Sequence, residues 1–381
     1  MRWKPLLAAL GTAALLAAIP LLQRALGFSV YYLVFLYFIF FWVAQATSWN
    51  LFSGYAGMFS FGQVAFLGTG VYTVAILIMR YGWSLPAALP VAAALAGLLA
   101  FTVGWIVFRL RSLRGELFSL FTLVVGIGGG YVANSTPWID GGQGIALTRV
   151  GYPALFESMT EYLYYLGLGT AVLAVSVAAA IQYSRLGRGL FAIHDDERVA
   201  EGLGVPTFRY KLTAFTINGL LAGLSGGIHA VQMNYVAVDS VFTLHFSLYA
   251  ILMSVLGGTR HWMGPILGAL VIHSLSDRLA SAGFSELQQV ITGSTLVIII
   301  LFMRDGIYGR LRDRLQPTLV LMAVTALVQW LALRPVDGLT LLTITVFVAL
   351  AMLLLPPAVY DRVAAAWRPR FSSGSGMGSA L

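Results

Sequence analysis

Long apolar runs, each close to the length that crosses a bilayer and divided by short polar stretches, make up most of this chain. A helix rising 1.5 Å per residue needs about 20 apolar residues to span the hydrocarbon core. On that measure the pattern predicts spanning helices at 5–26, 30–50, 59–79, 85–108, 117–137, 162–183 and 212–233, and again at 288–303, 317–333 and 338–357. The region 245–276 is apolar too, but Gly257-Gly258-Thr259-Arg260-His261-Trp262-Met263-Gly264-Pro265 interrupts it, which leaves each half short for a full crossing. The halves read as half-helices or a re-entrant pair, because irregular backbone is tolerated at membrane depth only where protein or a wet cavity covers it. Either both cross or neither does, so the sidedness of the following spans is unchanged. The predicted fold class is all-α: a polytopic transmembrane helical bundle with broken or re-entrant Gly-rich helices.

Composition excludes an ordinary soluble globule: 59% of residues are hydrophobic, 10% are charged, and the mean hydropathy is +0.84. The net charge of +8 lies between the apolar runs, which points to membrane topology and not to a nucleic-acid partner. With no cysteine, disulfides and thiolate metal sites are excluded. Arg2 and Lys4 precede an apolar run without a small-x-small cleavage site, so the start reads as an anchor. With the N-terminus placed in the cytoplasm, only Arg24, Arg80, Arg149, Arg278 and Arg334 of the 23 Lys and Arg fall outside. That asymmetry is the positive-inside pattern. It makes Ser184–Lys211 cytoplasmic, and 138–161 and 234–244 external.

Ser184–Lys211 is the longest charged stretch in the chain and contains a punctuated short helix. Asp195 or Asp196 can cap its start, Glu197 suits the first turn, Gly204 offers a left-handed stop and Pro206 blocks continuation. A helix over Glu197–Leu203 is too short to stand alone in water and requires a surface.

Ionisable residues are nearly absent from the spans; His229, His245 and His273, with Glu116 at an edge, are the exceptions. That argues against proton or sodium coupling. The histidines show no metal spacing and suit core or boundary hydrogen bonds. Neither Lys4 nor Lys211 sits in a phosphate-cradling P-loop, so the chain does not bind ATP by that device. Two glycine-dense runs stand out, Ser53–Gly70 and Gly219–Gly227. Close helix packing explains most of these glycines. Ser53, Gly54, Gly57, Ser60, Gly62 and Gln63 favour unwound backbone along a solute pathway, because so many glycines weaken a helix. Gln63 and Asn218 can donate to a passing carboxylate or to packing partners. Gly223-Leu224-Ser225-Gly226 matches the GxSG of rhomboid intramembrane proteases, an activity that requires a base in reach of Ser225. An ATP-independent channel is a third class.

The chain resembles the permease subunits of ABC importers for branched-chain and other hydrophobic amino acids, of the LivM type. Four stretches carry the resemblance: Ser53-Gly54-Tyr55-Ala56-Gly57 through Gly70-Val71-Tyr72-Thr73; Leu113–Leu123; the central loop through Ser184, Gly187, Arg188, Gly189, Ala192, Ile193, Glu197, Ala200, Glu201, Leu203 and Gly204; and Leu256-Gly257-Gly258 with Gly264-Pro265-Ile266-Leu267-Gly268-Ala269. They run from about residue 45 to 310 in family order. His194, Val199, Arg260 and Glu116 depart from the family pattern, and two spans follow where the family ends.

The resemblance implies a transport subunit and not an enzyme, in a bacterial cytoplasmic (inner) membrane. Residues 1–310 would be the permease domain, with the coupling loop at 184–211, and 311–381 would add two helices and a tail. Its implied partners are a second permease subunit, two cytoplasmic ATPases that bind ATP-Mg, an external solute-binding protein and membrane lipid. Arg188, Glu197, Ala200, Glu201 and Gly204 would be ATPase-coupling residues, Ala200 and Gly204 being the points of close approach. Ser53, Gly54, Gly57, Ser60, Gly62, Gln63, Asn218, Gly257 and Gly258 would line the pathway. Branched-chain or similar small amino acids are the implied solutes, with urea or a short amide as the alternative.

Overall fold

A computed structural model of the chain describes residues 11, 14–27, 29–110, 115–148, 150–281, 293–294 and 306–313. Apart from 293–294, the predicted spans 288–303, 317–333 and 338–357 and the tail lie outside these residues, as do Arg111, Arg114 and Arg149. Elements in chain order are α1 (Ile19–Leu26), α2 (Tyr31–Trp49), α3 (Gln63–Tyr81), α4 (Leu85–Arg109), α5 (Glu116–Ser135), β1 (Ile145–Ala146), α6 (Met159–Tyr183) and α7 (Arg185–Asp195). Then follow α8 (Glu197–Gly202), α9 (Thr207–Met233), β2 (Tyr235–Val236), α10 (Val238–Val241), α11 (Leu244–Gly257), α12 (Gly264–Ser281) and α13 (Gly306–Asp313). Seven of the described helical segments are long and apolar enough to cross a membrane.

The helices stop where the sequence punctuates them. Gly27 and Gly82 close α1 and α3 in the left-handed region, and Asn234 closes α9 at φ 58°. Helix α9 starts directly after Pro206, earlier than the apolar run alone indicates, and so includes Lys211.

α2 and α9 form the enclosed centre. Glycine and alanine let α9 close against α3 and α4. A Cβ on Gly219 would stand 2.4 Å from Ala100 Cβ, and one on Gly223 would stand 2.2 Å from Ala96 Cβ. Small residues at such crossings bring backbones together where lipid supplies no hydrophobic drive. The Gly219–Gly227 run is therefore packing, as its simpler reading expects.

The two ends of the bundle differ. At one end α7 and α8 project, Arg109 closes α4 and Arg260 pairs with Asp195. We call this the charged end. At the other, β1 pairs antiparallel with β2, Ile145 opposite Val236 and Ala146 opposite Tyr235. Arg24 binds Glu161 here at 2.5 Å, and Arg80 donates to the carbonyls of Pro137, Trp138 and Ile139. Arg278 lies in the last turn of α12, whose Asp277 accepts from Tyr31 at the start of α2. The described arginines thus sort between the ends as the alternating-span reading assigns them. At the strand end Asp140-Gly141-Gly142-Gln143-Gly144 is a turn. The Asp140 carboxylate accepts from the Tyr72 hydroxyl at 3.0 Å and from the Gly144 amide, and all three glycines have positive φ.

The interrupted region resolves into α11 and α12, joined at the charged end. Their backbones touch: a Cβ on Gly257 would stand 1.7 Å from the Gly264 carbonyl oxygen, and one on Gly268 equally close to that of Met253.

Candidate functional site: the projecting helices and the broken helix

The projection consists of two helices, one more than the punctuation predicts. Ser184 caps α7, its hydroxyl accepting from Gly187 N at 3.2 Å. Asp196 caps α8, accepting from the amides of Arg198 at 2.8 Å and Val199 at 3.0 Å. Those bonds hold the Asp196 carboxyl below its ordinary value. Gly204, at φ 84°, turns the chain out of α8.

The expected coupling residues do not share one face of the projection. Ala200 is only 2% exposed and packs into the chain's own core, so it is not free to approach a partner. Glu197 is taken up within the chain as well: Lys211 Nζ of α9 lies 2.5 Å from its carboxylate and 5.3 Å from the centre of the Phe108 ring. Arg188, Glu201 and Gly204 remain exposed. The outward apolar residues are Val199, 58% exposed, and Leu203, 79% exposed, four positions apart on one face. Their spacing in a charged loop was the available signal.

Beside the projection, α2 widens into a π-turn at Asn50–Gly54, and residues 57–62 leave the helix before α3 begins. The predicted unwound stretch is present, with α3 starting at Gln63. Neighbouring side chains take up backbone groups freed by the break. Trp49 Nε1 donates to Ser60 O at 2.7 Å, Phe61 N to Thr122 Oγ1 at 3.0 Å and Val64 N to Ser247 Oγ at 3.0 Å. This is the condition for irregular backbone at membrane depth.

A polar cluster anchors the same region. Gln63 Nε2 donates to Gln45 Oε1 at 2.8 Å and Ser48 Oγ at 2.9 Å, and Gln45 Nε2 donates to Ser225 Oγ at 2.8 Å. The cluster joins α2, α3 and α9. The sequence reading singled out Gln63 but not Gln45 or Ser48; polar residues inside the apolar run of α2 were the clue.

The predicted pathway residues are mostly enclosed within this chain. Ser53, Ser60, Gln63 and Asn218 are at most 2% exposed. Gly54, Gly62, Gly257 and Gly258 are buried as well. Gly54 lies against the Thr259 carbonyl, Gly62 against Thr122, and Gly257 and Gly258 against Gly264. Gly57 reaches the surface, next to Phe59 at 46% exposure. Ser225 is 3% exposed and its hydroxyl donates to the Leu221 and Ala222 carbonyls. His229 stacks on Phe41 at 4.2 Å and hydrogen-bonds the Tyr37 hydroxyl at 3.4 Å. No described hydrogen bond joins Ser225 to a histidine, so the protease reading lacks its base among the described residues. His245 and His273 are half-buried: His245 is tilted against Tyr249, and His273 stacks on Phe38.

Apolar helices long enough to cross a membrane surround a glycine-rich break, with a capped projection at one end: the architecture of a polytopic membrane bundle. The chain belongs to the family described as "Branched-chain amino acid transport system / permease component", whose model matches residues 31–300. It is 28% identical over 294 residues to the high-affinity branched-chain amino acid transport system permease protein LivM of Escherichia coli (strain K12), covering 70% of this chain and 67% of that protein. To LivH of the same strain it is 28% identical over 284 residues, 70% of this chain and 90% of LivH. The autoinducer 2 import system permease protein LsrC of Enterobacter sp. (strain 638) is 30% identical over 219 residues, 55% of this chain and 61% of LsrC. No solved structure matches the chain.

Proposed function

We propose that this chain forms half of the translocation pathway of an ABC importer, paired with a second permease subunit and driven by two ATPases docked at the charged end. The observation that carries the reading is the outward pair Val199 and Leu203 on a capped helix tied to spans at both sides. A short rigid element held in this way converts closure of a partner into helix displacement. Arg188 and Glu201 form the polar rim of the docking face, and Gly204 is its point of close approach. The charged end is then cytoplasmic, the strand end meets an external binding protein, and ATP-Mg is held by the partners. The arginine asymmetry supports this orientation in a bacterial inner membrane.

The proposed solutes are branched-chain or similar small amino acids, supported by the likeness to LivM and LivH, permease proteins of a branched-chain amino acid transport system. The test is reconstitution with partner permease, ATPases and binding protein, measuring ATP-driven uptake of leucine against urea. Burying a leucine contributes about 1.5–3 kcal/mol, so Leu203→Glu should weaken docking about 10- to 100-fold and abolish uptake while membrane insertion is kept. Full ATP-driven uptake by Leu203→Glu would refute the docking face. Uptake without ATPases would refute the importer class, and uptake of urea alone would change the solute and keep the mechanism.

A further inference from the structure

Segments far apart in sequence meet just inside α7 at the charged end. Gln182, in the last turn of α6, uses its side-chain oxygen twice: it accepts from the Tyr55 hydroxyl at 3.2 Å and from the Trp262 amide at 2.9 Å. Tyr55 is fully buried, directly before the break, and its ring lies 5.0 Å from that of Phe191 on α7. Trp262 belongs to the turn between α11 and α12. One carbonyl oxygen therefore joins the base of the projection to the broken helix and to the glycine turn.

His194 makes a second connection. Its imidazole lies against the break: a Cβ added to Gly57 would stand 2.9 Å from Nδ1 and 3.0 Å from Cγ. The ring of α7 thus rests on the backbone of the break itself. A third contact, Asp195 with Arg260 at 2.8 Å, is weaker: both side chains are about two-thirds exposed and screened by water. The enclosed contacts carry the connection.

The geometry points to Gln182 and His194 as positioning residues that carry displacement of the α7–α8 projection into the α2–α3 break and the α11–α12 turn. This rests on the ATPase-docking reading of that projection. Packed interiors shift between discrete arrangements and do not stretch continuously, so a moved α7 takes the bonded segments along or breaks the bonds. Gly57 and Phe59 are where the movement reaches the chain's surface.

The chain has no cysteine, so single labels can be placed without background. Spin labels at Leu203→Cys and, separately, Phe59→Cys would be followed in the complete transporter in vesicles as ATP is added. Both labels should respond in the otherwise unaltered chain. Gln182→Leu removes both acceptor contacts; the Leu203 response should persist, while the Phe59 response falls by at least about fivefold, the factor for one lost hydrogen bond. Gln182→Glu keeps the acceptor oxygen and should restore it. Tyr55→Phe, which removes one hydroxyl and leaves the ring, supplies a milder variant with a smaller loss at Phe59. His194→Ala should lower the Phe59 response as well. A full Phe59 response in both Gln182→Leu and Tyr55→Phe would overturn the connection and leave the docking reading intact. A Leu203 label silent to ATP in the unaltered chain would overturn the docking reading, and this inference with it.

Discussion

Replacing Gly70 with alanine tests the backbone contact between α3 and α9. The new Cβ would stand 2.1 Å from the Gly223 carbonyl oxygen, 2.7 Å from its carbon and 2.8 Å from its Cα. Ordinary carbon–oxygen contacts begin at about 3.3 Å, so α3 and α9 must part by roughly 1 Å. No side chain can swing away, because the obstruction is backbone. Nor can α9 retreat freely, since its Gly219 and Gly223 already lie against Ala96 and Ala100 of α4. Overpacking a dense interior costs about 1–3 kcal/mol, and a rigid neighbour places this case near 3 kcal/mol. Gly169 is the control: it lies on the exposed face of α6 with nothing within 4 Å of an added Cβ. Alanine there should be neutral or gain up to about 1 kcal/mol from helix propensity. Thermal unfolding in one detergent, followed by tryptophan fluorescence, compares the two. At about 2 °C per kcal/mol for a large chain, Gly70→Ala should melt about 6 °C below the unaltered protein and Gly169→Ala at or above it. Equal midpoints for the two alanine variants would refute the backbone contact between α3 and α9.

Two further outcomes follow from the charged end. Lys211→Met removes the ammonium from Glu197. Breaking a buried pair from one side costs about 3–5 kcal/mol, and the 18% exposure of the Glu197 side chain brings the figure nearer 2 kcal/mol. The double variant Lys211→Met with Glu197→Gln should recover most of the lost midpoint, and no recovery would show that the pair is not the cause. Burial first, and then the charge of Arg260, hold His194 below its ordinary 6.5, so the folded chain favours the neutral ring. The unfolded chain takes up that proton first as pH falls through 6.5, so the contribution of the neutral ring is present above 6.5 and declines below it until the folded group titrates. His194→Asn should flatten the midpoint–pH slope below 6.5, and an unchanged slope would assign the acid sensitivity to other groups.

Much of the fold was readable because lipid imposes length and apolarity on every crossing. The expected 85–108 and 162–183 agree with Leu85–Arg109 and Met159–Tyr183 to within a few residues. The break before Gln63 was legible from its glycines. What stayed hidden depends on partners distant in sequence. The start of α9 at Thr207 places Lys211 in the bundle, which is tolerable only because Glu197 is there to meet it. The face of α8 that is buried depends on where α9 runs, so Ala200 could not be told from Val199 by inspection of the loop. Helix α7 was hidden because its cap, Ser184, follows directly on the apolar run of α6 and ends that helix as well. Gln45 and Gln182 are unremarkable in the sequence and acquire meaning only from the groups they join.

The polar cluster of α2, α3 and α9 bears on how the protein is made. Gln63 meets Gln45 and Ser48 across sequence separations of 18 and 15 residues, whereas Gln45 meets Ser225 across 180. A chain inserted from its N-terminus therefore completes the glutamine pair as soon as its first two central helices have left the ribosome and entered the bilayer. Most of the cost of carrying amides into lipid is relieved at that stage, within a helical hairpin. The outstanding donor of Gln45, together with the open small-residue groove of α3 and α4, then waits for α9. The early hairpin is thus the mould on which the late helix is cast, and it selects α9 by shape and by one hydrogen bond.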